Sequence, residues 1–252
     1  MLPPVPKTLP PRNRLLASLP SCDLAAFRSC FVRVPLVCGQ MLSDHGFAVD
    51  YAYFIEQGVV SIVSAPEADE SGVQVAMIGR EGLVGDLALV DMRHPARARA
   101  IVHAPGSALR ISGADLRRAI ERSRALHSAC SEFVQSMVTQ VMQTAASNAR
   151  RSLAERCARW LVMTLERVEG NEVRVTHEAL SGMLGMRRSG VTLAAGILQD
   201  AGLIRTGRGR ITVLDVARLR AVSQGSPAAP RIRPDAGLYG AYVPTARFEA
   251  RS

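Results

Sequence analysis

The chain of 252 residues has only five cysteines, and none stands in the short paired spacing of a zinc ligand set or a disulfide framework. No apolar run approaches the length of a membrane span. Met1–Pro20 is broken by prolines and has only Lys7 early on, so it lacks the apolar centre of a signal peptide, and a reduced cytoplasm is the expected location. HExxH, GxSxG and P-loop motifs are missing, and no carboxylate pair falls in a plausible cleft. These absences argue against a secreted protein, a membrane protein, a metal site and an enzyme: catalysis has no residues to rest on.

What is present is basic charge, unevenly placed. The formal net charge is +9; residues 1–149 hold 14 basic and 13 acidic groups, whereas residues 150–220 hold 13 and 7. A polyanionic partner is therefore expected, and it should meet the C-terminal half.

That half contains the most specific pattern in the chain, from Val175 to Val213. Thr176 is suited to cap a helix whose apolar positions Ala179, Leu180, Met183 and Leu184 follow at helical spacing. Gly185 stands where that helix must stop, and Met186 is expected to point back at it. A second helix follows, with Val191, Ala194, Ala195 and Leu198 inward and Arg187, Arg188, Ser189 and Thr192 outward on its first turn; Gly202 ends it. Two short helices joined by a tight glycine turn make a helix-turn-helix, in which the second helix enters the major groove of double-stranded DNA N-terminus first. Ile204 to Leu214 then alternates around Gly207 and Gly209, with Arg205, Arg208 and Arg210 about the tip: a cationic wing that could lie along the phosphate backbone.

Elsewhere the grammar changes twice. Residues 1–13 are proline-rich and read as an extended, flexible lead-in, and Arg14 to Phe27 as one or two short helices. Val32 to Ser112 holds short segments rich in Val, Ile, Tyr and Phe: Val32–Val37, Tyr51–Ile55, Val59–Val63, Val73–Ile78, Ala100–His103 and Ala108–Ile111. Gly and Pro separate them, which predicts a compact barrel or sandwich of about eight strands. Ser112 caps a helix to about Arg122, with Leu116 and Ile120 inward. Past Ser123 some 25 residues run without Gly or Pro. In that run Leu126, Cys130, Phe133, Met137, Val141 and Thr144 form a seam widened by Val134, Val138, Met142 and Ala145. A helix that long between two small domains is expected to pair with its twin in a homodimer. Arg151–Arg167 reads as an amphipathic helix closing the DNA-binding domain, and residues 223–252 as a flexible tail.

With both halves in view, the chain resembles the Crp/Fnr family of bacterial transcription regulators over about residues 14–222. The resemblance rests on Tyr53-Phe54-Ile55-Glu56-Gln57-Gly58-Val59-Val60, on Val84-Gly85-Asp86-Leu87-Ala88-Leu89, and on Thr176 through Ile204. It implies an α+β fold: a double-stranded β-helix (β-roll) sensor over residues 14–122, a dimerisation helix over 123–149 and a winged helix-turn-helix over 150–222. It also implies phosphate-positioning roles for Thr176, His177 and Arg187 and base reading by Arg188 and Ser189. Arg188 suits guanine, since its planar fork can take O6 and N7 together. A later base-reading position is Leu193 here. RNA polymerase is the further partner implied if the protein activates transcription.

The sensor half is similar to cyclic-nucleotide domains, which implies an effector pocket at Gly85, Asp86, Leu87, Ala88, Arg97, Ala98, Val141 and Met142. It departs from the nucleotide binders in two ways. Asp86 replaces the ribose-binding Glu, and the apolar pair Val141 and Met142 falls where polar contacts to the purine are usual. Two readings of the pocket stay open: cyclic-nucleotide binding, or a β-roll kept as scaffold. An iron–sulfur cluster on Cys22, Cys30, Cys38 and Cys130 and a haem held by His45, His94, His103 or His127 are the redox variants that relatives suggest. Outside transcription, the rival reading is a cyclic-nucleotide-binding module acting on a protein partner.

Overall fold

The computed structural model describes residues 11–47, 49–64, 72–85 and 98–225. The N-terminal half opens with two short helices, α1 (Arg14–Ala17) and α2 (Ser21–Phe27), and a single 3₁₀ turn at Arg28–Cys30. Six strands follow: β1 (Val32–Leu36), β2 (Met41–Ser43), β3 (Tyr51–Ser64), β4 (Val73–Ile78), β5 (Leu83–Val84) and β6 (Arg99–Ser112). Pairing is antiparallel throughout, in the order β1-β6-β3-β4, with β2 added to β6 and β5 to β3. This is the expected β-roll, in which Phe54, Ile55, Ile78, Leu83 and Ile111 are fully buried. Edge-to-face contacts link Phe27 to Phe31 and Phe31 to Phe54, with ring centroids 5.8 and 5.5 Å apart.

The expectation of about eight short strands is corrected to six among the described residues, two of which, β3 and β6, run for 14 residues each. Gly58 and Gly106 read as turns in the sequence; in the fold they are irregular points inside β3 and β6, which pair over nearly their whole length. A Cβ on Gly106 would stand 2.0 Å from the Gln57 carbonyl oxygen, and one on Gly58 would stand 2.5 Å from that of Ala104. Glycine is needed there for close backbone approach, so both long strands bend without ending.

The expected lead-in is also shorter than residues 1–13. Asn13 has no solvent exposure, and its amide donates to the carbonyls of Ile55 (2.9 Å) and Gly82 (2.8 Å) while its oxygen caps α1 at the Leu16 amide. Burying that side chain is tolerable because each of its polar atoms is satisfied. Residues 1–10 and 226–252, the rest of the expected lead-in and tail, lie outside the described residues.

Helix α3 (Gly113–Arg122) is capped by Ser112, and α4 (Arg124–Arg150) by Ser123 through the Leu126 amide at 3.0 Å. The seam of α4 is divided. Leu126, Cys130, Phe133 and Met137 are buried in the β-roll core of their own chain, whereas Val138, Val141 and Met142 are exposed, Met142 at 67%. The first half therefore belongs to an intrachain core, correcting its assignment to a partner helix; amphipathic spacing reports that a face is covered and not by what.

The C-terminal half is assembled from α5 (Leu153–Leu165), β7 (Glu172–Arg174), α6 (His177–Leu184), α7 (Arg188–Asp200), β8 (Ile204–Gly207), β9 (Arg210–Val213) and α8 (Val216–Ser223). Ser152 and Glu155 close a capping box at the start of α5. Leu161, Leu180, Leu198, Leu203 and Leu219 form the centre of this core; each contributes about 1.5–3 kcal/mol by leaving water. Val59 and Met77 from the sheet join the same core, so the two halves share an interface. There Trp160 donates to Gln74 at 3.2 Å and Arg167 pairs with Glu81 at 2.7 Å. Gln140 brackets the backbone of the edge strand β4 at Met77, accepting from its amide (2.6 Å) and donating to its carbonyl (3.2 Å).

Candidate nucleic-acid interface

Local chemistry sets the turn between α6 and α7. Thr176 accepts from the Ala179 amide at 3.1 Å and starts α6. Gly185, at φ 57°, ends it in the left-handed conformation, letting the Met186 amide return to the Ser181 carbonyl at 3.1 Å. Arg156 of α5 donates to the last α6 carbonyl, that of Leu184. After Arg187 the chain is helical again. Val191, Ala194, Ala195 and Leu198 are all buried, as their spacing predicts, and small side chains let α6 and α7 approach closely. Ala179, by contrast, is exposed, and Met183 and Met186 are only half-buried.

The exposed face carries the polar residues. Thr176, Arg187, Arg188, Ser189 and Thr192 are exposed and His177 is half-buried. His177 Nδ1 lies 3.1 Å from Thr192 Oγ1, and Thr192 in turn donates to the Arg188 carbonyl at 3.2 Å, so the two helices are tied at the end where the arginines emerge. Arg188 lies 3.9 Å from Glu178 with both side chains about three-quarters exposed, a contact that leaves the guanidinium free to swing. No side chain caps the start of α7.

β8 and β9 form the expected hairpin, with Gly207 paired to Arg210 and Arg208-Gly209 as the two-residue tip. Arg205, Arg208 and Arg210 are all exposed. Gln199 of α7 accepts from both the amide (2.9 Å) and the hydroxyl (2.7 Å) of Thr206, pinning the wing to the helix. Sequence reasoning missed that β7 adds a third strand and with it Arg174, exposed and in register with Arg210. The alternation Glu172-Val173-Arg174-Val175, with Val173 and Val175 buried, is the signal that could have found it.

The expected effector residues are less gathered. Asp86, Leu87, Ala88 and Arg97 lie outside the described residues. Gly85 and Ala98 are half-buried at the ends of the segment that flanks them, and Val141 and Met142 are exposed on α4. Among the described residues no three His, Cys, Asp or Glu side chains gather to hold a metal ion, the five cysteines are free, and no helix is long and apolar enough to cross a membrane. His94 is not among the described residues.

Comparison with known proteins agrees with both halves. Residues 33–123 match the cyclic nucleotide-binding domain and residues 155–222 the Crp-like helix-turn-helix domain. The chain belongs to the Crp/Fnr family of transcription regulators. Its fold is that of a Crp/Fnr regulator from Eubacterium rectale (TM-score 0.65, 16% identity, covering 84% of this chain and 99% of that one). FixK2 from Bradyrhizobium japonicum is similar (TM-score 0.64, 15% identity, 79% and 99% covered). So is CLP, the c-di-GMP responsive global regulator of Xanthomonas campestris (TM-score 0.63, 16% identity, 78% and 100% covered). No curated protein matches the sequence. Members of this family regulate transcription, and the exposed Arg187 and Arg188 and the arginines of the wing lie on the helix-turn-helix half.

Proposed function

We propose that the protein is a homodimeric, sequence-specific regulator that reads an inverted-repeat operator through α7, with residues 14–122 as sensor, 123–149 as dimerisation helix and 150–222 as DNA reader. The observation that carries this reading is the first turn of α7, where Arg188 and Ser189 stand exposed and the helix start is uncapped. Free amides at a helix N-terminus attract phosphate, so the same turn can grip the backbone while Arg188 reaches a base edge. In this reading Thr176, His177 and Arg187 position phosphates, and Arg205, Arg208 and Arg210 follow the backbone from the wing. Two such helices on a two-fold axis would enter major grooves roughly 34 Å apart. An effector acting through the β-roll, at Gly85–Ala88, Arg97, Ala98, Val141 and Met142, would shift the pairing of α4 and so the angle between the readers.

Selection of bound duplexes from a random DNA library tests the reading. It should return a palindrome whose half-sites are centred about one helical turn apart. Recovery of no common sequence, with a protein partner captured instead, would favour the rival reading as a module acting on proteins.

A further inference from the structure

A cavity of about 250 Å³ lies between α2 and α3, lined by Cys22, Phe27, Cys30, Asp115, Arg118 and Arg122 among others. Its size is close to the lower end for small-ligand sites, about 300 Å³. Two of the chain's five cysteines therefore share one cavity, and they differ from the rest. Cys130 and Cys157 are buried, and burial pushes both thiols up to about 12, so neither supplies the thiolate that reacts. Cys38 is exposed on the turn after β1, its thiol donated to the His103 carbonyl at 3.3 Å. Cys22 is exposed at the start of α2, and Cys30 is half-buried. They stand eight residues apart. Helical chain of that length rises roughly 12 Å, at about 1.5 Å per residue. A disulfide needs Cα atoms within about 7 Å, so the pair cannot close on itself without moving α2. Oxidation here takes its second sulfur from outside.

The surroundings of Cys22 set what that sulfur can carry. Its thiol donates to one oxygen of Asp23 at 3.4 Å, and the other oxygen accepts from the Ser123 hydroxyl at 2.6 Å. Ser123 in turn caps α4 through the Leu126 amide. Asp23 is thus engaged on both oxygens and Asp115 is held by Arg118, while Arg122, next in sequence to Ser123, is exposed at the rim of the cavity. A guanidinium in that position suits a carboxylate, which it can meet with two parallel hydrogen bonds. We propose that Cys22 is a site of mixed-disulfide formation with an anionic low-molecular-weight thiol, whose body fills the cavity between α2 and α3 and whose carboxylate pairs with Arg122. The Cys22 thiolate attacks one sulfur of that thiol's own disulfide. The S–S bond breaks as the new bond to Cys22 Sγ forms, and the other half leaves as a thiolate that takes up a proton. Cys22 is oxidised and the departing half reduced, so the disulfide is itself the oxidant. The adduct removes the proton that Asp23 accepts and sets its bulk beside the cap of α4.

The full chain would be incubated at constant ionic strength with glutathione disulfide, which carries carboxylates, and in parallel with neutral hydroxyethyl disulfide. Peptide mass mapping over time would follow adducts at Cys22, Cys30 and Cys38, with exposed Cys38 as internal control. The glutathione adduct is expected to form about tenfold faster at Cys22 than at Cys38, a preference of the size that local charge gives to association. It should fall to about twofold with hydroxyethyl disulfide and in Arg122→Gln, and return in Arg122→Lys. Equal rates at Cys22 and Cys38, faster reaction at Cys30, a preference that the neutral disulfide reproduces, or one that Arg122→Gln leaves intact overturns the proposal. The wild-type comparison of charged and neutral disulfides does not depend on how any variant folds. No DNA enters the measurement, so its failure and a failure to select an operator are separate results.

Discussion

At the scale of single residues, the sequence shows chemistry where partners are local and hides it where they are distant. Thr176 and Gly185 act on neighbours within a few positions, and their capping roles are legible from spacing alone. Asn13 bonds to carbonyls 42 and 69 positions away, and nothing in its proline-rich surroundings announces that. His103 is another such case. It is 7% exposed, stacks edge-on against Trp160 with centroids 5.0 Å apart, and burial lowers its pKa to about 4. The unfolded imidazole takes up a proton near pH 6.5. Between there and pH 4 the unfolded state therefore binds a proton that the folded state refuses, and stability falls as pH falls. The expected loss across that window is about 3 kcal/mol. Chemical denaturation at a series of pH values measures it, and His103→Phe, which keeps the aromatic contact, should flatten the curve there.

At the scale of elements, caps and periodicity locate helices well and assign their partners poorly. α4 begins directly after Ser123, where the run without Gly or Pro starts, yet its seam is shared between an intrachain core and an exposed stretch. Gly58 and Gly106 split two long strands into four on paper, because a glycine that permits strand crossing looks the same as one that permits a turn. The exposed half of α4 is where a twin would have to pack. Met142→Glu is predicted to raise the dimer dissociation constant at least tenfold, about 1.4 kcal/mol. Sedimentation velocity reads that directly, and an unchanged dimer would move the interface elsewhere.

At the scale of the whole molecule, the two halves are joined by more than a linker. Val59 and Met77 sit in the core of the DNA-binding half, and Trp160–Gln74, Gln140–Met77 and Arg167–Glu81 cross between sheet and helices. None of these pairs is visible in the sequence, since each joins residues more than 60 positions apart. An effector held by the β-roll would act against this interface, and a coupling of about 1–3 kcal/mol is enough for regulation. In the function proposed above the output is the exposed first turn of α7. The account is tested most directly by measuring the affinity of Arg188→Ala and Arg208→Ala dimers for operator and for random duplex across salt concentrations. Arg188→Ala should lose about 1–3 kcal/mol on operator and little on random DNA, while Arg208→Ala should weaken both alike and reduce the salt slope by about one. Equal losses on both duplexes for Arg188→Ala would contradict the claim that α7 reads sequence.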